Sequence, residues 1–301
     1  SRFARNRLAM SYTINTLRMI SHSCEQMRDR VKAIEFAPDG AKNLDLTFGP
    51  GIAAELIGRT PEALAKAEKE GRLPNPKQQA NGRRFYTLED LTDIREALNI
   101  HVGKAADEDA VIIANSNFKG GVGKSTITKH FADYLGLRGY KVLVVDCDPQ
   151  ASTTTMFDIK PETLMDTEQT LGDYLSPRST FEDLRLAIYD TAWPTIKIIP
   201  SSLGLQDAEW DLTATLQEGG QAVRESLQRL RIGLSGLSKE FDVIILDPPP
   251  AMGFLGLNVM AAATGLLIPV PARQLDYLST IHFMDTVADN IEILEKNGTP
   301  V

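Results

Sequence analysis

Short apolar runs alternate with longer amphipathic segments over most of the chain. Apolar runs rich in β-branched residues and bounded by polar or turn residues predict strands. They lie at Val111–Asn115, Lys141–Asp146, Thr195–Pro200, Phe241–Asp247 and Gly265–Val270. Helical periodicity predicts helices over Gln221–Leu234 and Gln274–Lys296. Strands that alternate with helices predict an α/β fold built on a doubly wound, mostly parallel sheet.

A different pattern fills residues 47–98. Gly51–Ile57 reads as a short helix that ends at Gly58, and Thr60-Pro61 supplies an N-cap and a first helical residue for a second helix, Glu62–Glu70. Two short helices joined by a tight turn predict a helix-turn-helix.

A wing is predicted directly after these two helices. Asn81-Gly82 is typical of a hairpin turn, and the basic-aromatic run Arg83–Tyr86 follows it. Thr87 and Asp90 form a capping-box pattern that starts another helix. Residues 41–104 are therefore predicted to form a winged helix-turn-helix domain, with a boundary in the polar stretch His101–Ala110.

Apolar residues at spacings of three and four mark one stripe of a helix near the start of the chain. They are Leu17, Ile20, Cys24, Met27, Val31 and Ile34. Such a seam fits a dimerising helix or, equally, an amphipathic helix that folds back on its own domain. We assign residues 1–40 to this segment, 41–104 to the winged domain and 105–301 to the α/β domain.

The most informative feature of the composition is the uneven distribution of charge along the chain. The chain has 301 residues, of which 43% are hydrophobic and 24% charged, as in ordinary globular proteins. Residues 1–100 hold 16 Lys and Arg against 13 Asp and Glu, which leaves 16 against 27 for the remainder. A mildly basic segment attached to an acidic body favours a polyanion as the partner of the first segment. Cys24 and Cys147 form no metal-binding or disulfide pattern.

The clearest chemical signal is the run Lys119–Thr126, which reads K-G-G-V-G-K-S-T between a predicted strand and a helix-like segment. Backbone N–H groups of glycines can close around phosphate oxygens, and the following helix directs its positive end at the same anion. Lys124 adds a cation for the terminal phosphates, and Ser125 carries the hydroxyl expected on Mg²⁺. The nucleotide-binding residues predicted here are Lys119, Gly120, Gly121, Val122, Gly123, Lys124, Ser125 and Thr126.

Two carboxylate motifs accompany this loop. Lys141–Asp146 runs into D-C-D-P-Q, which contains Asp148, and Phe241–Asp247 runs into three prolines. Strand ends are where ligands bind in open α/β sheets. An isolated aspartate at such a position also fits an N-cap or a turn.

The loop departs from the usual G-x-x-x-x-G-K-[ST] pattern, because Phe118 occupies the first glycine position and Lys119 adds a second lysine. Together with the two carboxylate motifs it resembles the ParA/MinD family of dimeric ATPases. The resemblance implies that Lys119 reaches the phosphates bound by a partner subunit and that Asp148 positions the attacking water. It also implies that Asp247 holds Mg²⁺ through a water, that Asp146 either supports the residues that contact the ligand or is structural, and that ATP hydrolysis is slow.

The stretch from Gly58 to Leu91 resembles the winged DNA-binding domains of the MerR class and the N-terminal domain of plasmid ParA proteins that repress their own promoters. On this resemblance Arg59, Lys66 and Lys69 lie on or beside a recognition helix, and Arg83 and Arg84 on a wing. For Lys66 and Lys69 a solvated face paired with Glu62 and Glu70 is an equally good interpretation.

The family resemblance implies a partition ATPase of the larger plasmid ParA class, such as the RepA proteins of RepABC plasmids. We expect an ATP-dependent homodimer with a dimerising N-terminal helix, a ParB-like centromere-binding partner, and binding to operator and nonspecific DNA. We expect it in the cytoplasm on the nucleoid, with no membrane association. The family extends further than residue 301, so the adenine pocket and the surface that coats DNA are expected to be missing.

Two alternatives come from other functional classes. A MinD-like ATPase that cycles on membranes would need a C-terminal amphipathic helix. A transcriptional repressor that uses nucleotide only as a switch would need neither Lys119 nor Asp148.

Overall fold

A computed structural model describes residues 18–19, 46–74, 76–78, 80, 82–117, 119–164, 169–215, 220–250, 253–272 and 274–299, apart from the side chains of 162, 163, 215 and 274–277. From residue 46 onward the described residues belong to one compact unit, Leu44–Val301. The apolar seam proposed for residues 17–34 lies outside the described residues. Phe118 and Asn81 also lie outside the described residues.

A six-stranded sheet organises this unit, in the order β5-β6-β4-β7-β3-β8. Its strands are β3 (Val111–Asn115), β4 (Val142–Asp146), β5 (Tyr189–Asp190), β6 (Ile196–Ile199), β7 (Val243–Asp247) and β8 (Gly265–Leu267). All neighbours are parallel except β5 and β6. Asp146 and Asp247 are register partners at the ends of β4 and β7, so the carboxyl edge of the sheet gathers the polar strand ends.

Both faces of the sheet are covered by helices. They are α4 (Lys124–Arg138), α5 (Ser152–Met156), α6 (Leu171–Leu175), α7 (Gly204–Thr215), α8 (Gly220–Ser235), α9 (Phe254–Ala262) and α10 (Gln274–Lys296). Leu143 and Val145 of β4 face one apolar core, and Val142 and Val144 face the other. Alternate side chains of a strand point to opposite faces, which explains why these strands are apolar throughout.

Residues 46–98 form a smaller set of elements. The helices are α1 (Pro50–Ile57), α2 (Pro61–Lys69) and α3 (Leu88–Ala97), and the short strands β1 (Lys77–Gln78) and β2 (Arg84–Phe85) pair antiparallel. The Thr60 side chain accepts a hydrogen bond from the Ala63 N–H at the start of α2, and Thr87 and Asp90 form the reciprocal capping box of α3. Their own apolar cluster includes Leu64, Leu91 and Ile94.

The mostly parallel α/β fold predicted from the alternating pattern is confirmed, with three differences. The strand expected over Gly265–Val270 ends at Leu267. The edge strand β5 runs antiparallel to β6. The helices α5, α6, α7 and α9 were not predicted; α9 is apolar on all sides and almost wholly buried, which removes the periodic signal. The division into residues 1–40, 41–104 and 105–301 stays a prediction.

Candidate nucleotide site

The glycine-rich loop connects β3 to α4 at the carboxyl edge of the sheet. Gly121 and Gly123 have φ angles of +74° and +85°, in a region that residues with a Cβ rarely adopt. Gly123 is the N-cap of α4. This conformation directs the first-turn N–H groups and the positive end of the helix dipole into the loop, which is the arrangement that binds phosphate.

Lys124 begins α4 and is only 8% exposed. Burial lowers the pKa of its ammonium group, and the negative charges of Asp247 and Asp148 oppose that shift. The structure therefore brings together three residues that are spread over more than one hundred positions in the sequence. An anionic ligand in the loop would add a further compensating charge for Lys124.

Asp247 is almost fully buried at the end of β7 and receives hydrogen bonds from two helices. The Thr153 Oγ1 of α5 donates to its Oδ2 at 2.6 Å, and the Thr128 Oγ1 of α4 donates to its Oδ1 at 3.3 Å. Burial raises the pKa of this carboxyl, while the bonds from Thr153 and Ser125, the charge of Lys124 and the bond from Thr128 lower it. The Ser125 hydroxyl and the Asp247 carboxylate are thus in contact.

Asp146 has a different environment, although it is the register partner of Asp247. Its Oδ2 accepts hydrogen bonds from the Thr154 N–H and Oγ1 at 2.8 and 2.7 Å, and its Oδ1 accepts one from the Asp148 N–H at 3.1 Å. Burial raises the pKa of Asp146 to about 7 against these bonds. Its bonding capacity is used to fix the segment between β4 and α5, which is a structural role.

Asp148 sits in the turn that follows β4. Its Oδ1 accepts a hydrogen bond from the Gln150 N–H at 2.9 Å, and its carbonyl accepts one from the Ala151 N–H at 2.8 Å. Ala151 is held at φ +53°, a strained conformation for a residue with a side chain. The turn fixes the Asp148 carboxylate close enough to Lys124 for its negative charge to oppose the lowering of the lysine pKa.

Two polar residues that support the glycine-rich loop by hydrogen bonds, Asn115 and Thr128, were not predicted from the sequence. The Asn115 amide donates to the Lys124 carbonyl at 2.7 Å and to the Thr128 Oγ1 at 3.0 Å. Thr128 lies four residues after Lys124 and so on the same helical face. A polar residue that closes an otherwise apolar strand, as Asn115 does, was the available signal. Lys119 occupies an exposed part of the loop, where its N–H donates to the Asn117 Oδ1 at 2.9 Å.

A family model described as an AAA domain matches residues 110–297. The protein SopA of Escherichia coli K12 is 31% identical over 293 residues, which covers 95% of this chain and 74% of SopA. The chain belongs to the ParA/MinD family of ATPases. The sporulation initiation inhibitor protein Soj of Bacillus subtilis is 31% identical over 186 residues, 62% of this chain and 66% of Soj.

Among solved structures, the cobyrinic acid a,c-diamide synthase of Mycobacterium smegmatis with bound ADP and magnesium is similar. The TM-score is 0.53 with 27% sequence identity, over 62% of this chain and 71% of the synthase. Its fold agrees with the P-loop α/β architecture found here. A sporulation initiation inhibitor is similar in sequence and a diamide synthase is similar in structure, so the fold alone does not fix the activity.

The residues predicted to contact DNA lie in the smaller set of elements and are not part of the loop site. Arg59, Lys66, Lys69 and Arg83 are exposed. Lys66 Nζ lies 3.8 Å from the Glu70 carboxylate, as expected if Lys66 is on a solvated helix face and pairs with an acidic neighbour. Arg84 is different, because its Nη1 donates to the buried Glu68 carboxylate at 2.9 Å. The Tyr86 hydroxyl donates to the same carboxylate at 2.6 Å.

Neither a cluster of metal-ligand side chains nor a membrane-spanning helix occurs in the described part of the chain. Among the described residues, no group of three or more His, Cys, Asp or Glu side chains could hold a metal ion. Cys147 is fully buried, and burial raises the pKa of its thiol. None of the described helices is both long enough and apolar enough to cross a bilayer.

Proposed function

We propose that this ParA-family chain binds Mg²⁺-ATP in the loop 119–126 and hydrolyses it slowly in a nucleotide-sandwich homodimer that segregates plasmid DNA. The observation that carries the proposal is the convergence of Lys124, Asp148 and Asp247 around one glycine-rich loop. A relative in Myxococcus xanthus that is named chromosome partitioning protein ParA supports the biological role.

The loop residues have distinct tasks in this proposal. The N–H groups of Gly120 to Gly123 bind phosphate oxygens, together with Thr126 in the first turn of α4, and Lys124 neutralises the terminal phosphates. Ser125 and Asp247 offer hydroxyl and carboxylate oxygens, which suit Mg²⁺, and Asp247 acts through a water. Bound Mg²⁺ would neutralise charge on the β- and γ-phosphates.

Asp148 is proposed to orient the attacking water, since its turn fixes the carboxylate near enough to Lys124 for the two charges to interact. Lys119 is proposed to act on the phosphates of a partner subunit from its exposed position in the loop. Such a site works by positioning and by stabilising the charge that spreads over the γ-phosphoryl oxygens.

Two substitutions separate binding from turnover. Lys124→Ala should abolish ATP binding, whereas Asp148→Ala should keep ATP affinity and lose hydrolysis. Isothermal titration with ATP and steady-state phosphate release measure the two quantities, and Asp207→Ala, an exposed carboxylate on α7, is the matched control. Unchanged ATP affinity in Lys124→Ala would refute the site, and full turnover in Asp148→Ala would refute the assigned carboxylate.

We further propose that residues 46–98 are a winged helix-turn-helix that binds operator DNA and represses the chain's own operon. Support comes from α1 and α2 joined by a tight turn, from the antiparallel pair β1 and β2, and from the exposed cations Arg59, Lys66, Lys69 and Arg83. Arg84 contributes as well, but its bond to Glu68 also ties the wing to α2.

Gel-shift titration with a duplex from its own promoter and a random duplex tests this part. A phosphate contact releases counterions, so Arg83→Ala should weaken binding to both duplexes alike and lower the salt slope by about one unit. Lys197→Ala, an exposed cation of β6 paired with Asp190, is the control. Loss of discrimination at an unchanged slope would show that Arg83 contacts bases instead.

The remaining parts of the proposal are a ParB-like partner that stimulates hydrolysis and a cytoplasmic, nucleoid-associated location. The same titration under ADP and ATP, together with phosphate release and binding to anionic lipid vesicles, distinguishes the rival functions. A nucleotide-switched repressor would bind its operator without hydrolysing ATP, and a MinD-like ATPase would respond to anionic lipid vesicles and not to DNA.

A further inference from the structure

Arg95 is a buried cation that neither the loop site nor the DNA-binding surface uses. It lies on α3 and is only 6% exposed. A buried guanidinium is costly where its donors are unsatisfied, and the Arg95 Nε is buried with no hydrogen-bond partner among the described residues. Its Nη2 donates to two backbone carbonyls, that of Leu56 at 3.0 Å and that of Leu137 at 2.6 Å.

These two carbonyls share one property, because each belongs to the last turn of a helix. Leu56 lies in the last turn of α1, and Leu137 in the last turn of α4. The last carbonyls of a helix lack partners within the helix and carry the negative end of its dipole. Arg95 therefore joins the carboxyl ends of two helices through one cation.

The backbone beyond α4 is shaped to receive this side chain. Gly139 ends α4 at φ +95°, and a Cβ placed there would lie 2.7 Å from the Arg95 Nε. Only a glycine therefore allows the guanidinium to lie against the end of the helix. Nearby, Leu88 packs with Ala132 and Leu135 of α4 in one apolar cluster.

The two ends of α4 thus have different neighbours. Its first residue is Lys124 of the nucleotide loop, and its last turn contacts Arg95. The helix has 15 residues, so its ends lie about 22 Å apart. An α-helix is stiff over that length, so a small displacement of the loop moves the Arg95 contact with it.

We infer that Arg95 is a positioning residue that couples the nucleotide loop to the elements of residues 46–98 through α4. This inference rests on the proposed function, since it assumes that the loop binds nucleotide and that residues 46–98 bind DNA. If nucleotide binding shifts α4, it moves α1 and α3 as well. In the other direction, DNA that holds α1, α2 and α3 in place restrains α4. Linkage requires the two effects to be equal in size.

The test measures each affinity and also a coupling ratio, which is the DNA affinity with nucleotide divided by the DNA affinity without it. Promoter DNA affinity is determined by fluorescence anisotropy without nucleotide, with Mg²⁺-ADP and with a slowly hydrolysed ATP analogue. Nucleotide affinity is determined with and without that DNA. In the wild type, nucleotide should change DNA affinity by a factor in the range of about 5 to 150, and DNA should change nucleotide affinity by the same factor.

Arg95→Met keeps much of the side-chain volume and removes the donors. We expect both individual affinities to stay within a few-fold of the wild type while the ratio falls to about one. Arg185→Met is the matched control, since Arg185 also donates to a backbone carbonyl, that of Gly236 at 2.9 Å, but its partners Gly236 and Glu240 lie outside α1, α3 and α4; its ratio should be that of the wild type. A wild-type ratio in Arg95→Met overturns the inference.

A second variant perturbs the same contact without deleting the arginine. Gly139→Ala places a methyl group against the guanidinium and should reduce the ratio too, so it carries the test if Arg95→Met does not fold. If the wild type binds nucleotide and DNA but neither affects the other, the coupling inference fails alone. If the wild type binds neither, the proposed function fails as well.

Discussion

Removing the Thr153 hydroxyl tests whether the support around Asp247 matters for hydrolysis. Thr153 is fully buried on α5, and its Oγ1 donates to the Asp247 Oδ2 at 2.6 Å, shorter than the 3.3 Å bond from Thr128. Valine has nearly the same shape as threonine but cannot donate. Thr153→Val therefore leaves one carboxylate oxygen buried without its donor.

The size of the effect follows from the kind of bond. A hydrogen bond to a charged group contributes about 1.5–3 kcal/mol. If that energy holds Asp247 ionised and oriented in the transition state, kcat should fall by about 10- to 100-fold. Loss of the donor also raises the pKa of Asp247 further, because the bond from Thr153 opposes the effect of burial. The Mg²⁺ concentration for half-maximal activity should therefore rise.

Phosphate release measured against ATP and against Mg²⁺ gives both quantities. ATP affinity should change little, since Lys124 and the loop amides are untouched. Thr153→Ser keeps the hydroxyl and should recover most of the activity. Thr155→Val is the matched control, because Thr155 is exposed on the same helix and its hydroxyl donates to the Ala151 carbonyl instead. Wild-type kcat and Mg²⁺ dependence in Thr153→Val would refute the reasoning.

Three further outcomes are expected. Mixing inactive Lys119→Ala and Asp148→Ala subunits should restore about a quarter of the wild-type rate if Lys119 acts across a dimer, and none if it acts within its own subunit. Burial raises the pKa of Asp146 from 3.8 to about 7. Between these two values the folded protein keeps a proton on Asp146 that the unfolded chain loses, so the free energy of unfolding falls as the pH rises. Urea unfolding without Mg²⁺ or nucleotide should show the wild type losing about 2–3 kcal/mol more than Asp146→Asn between about pH 5 and pH 7, and parallel curves would contradict this. Arg84→Ala should lower the free energy of unfolding by about 1–2 kcal/mol, because it removes one partner of the buried Glu68, whereas Lys69→Ala, at an exposed position of α2, should leave it unchanged within error.

The parts of the fold that the sequence predicted are those with a strong local pattern. β3, β4 and β7 are apolar runs because helices cover both sheet faces, and each ends in a polar residue where the sheet edge meets the site. The capping residues Thr60 and Thr87 act within a few positions of themselves, so their roles were visible as well.

The residues that sequence reasoning missed act through partners far away in the chain. Thr153 lies in the run S-T-T-T, which has poor helix propensity, and its role depends on Asp247, 94 positions later. Arg95 reads as one of the charged positions of an amphipathic helix. Its burial arises from the approach of Leu137 and Gly139, which nothing near α3 in sequence indicates.

The contrast between Asp146 and Asp247 explains how two neighbouring carboxylates can have separate tasks. Asp146 takes its donors from residues 148 and 154, within one short segment, so its bonds are set by that segment alone. Asp247 takes donors from α4 and α5, so its orientation depends on both helices at once. Because the last turn of α4 also contacts Arg95, a nucleotide that moves this helix would shift both Asp247 and the elements proposed to bind DNA. Hydrolysis and DNA binding would then respond to the same helix movement, which is the coupling that the Arg95 variants test.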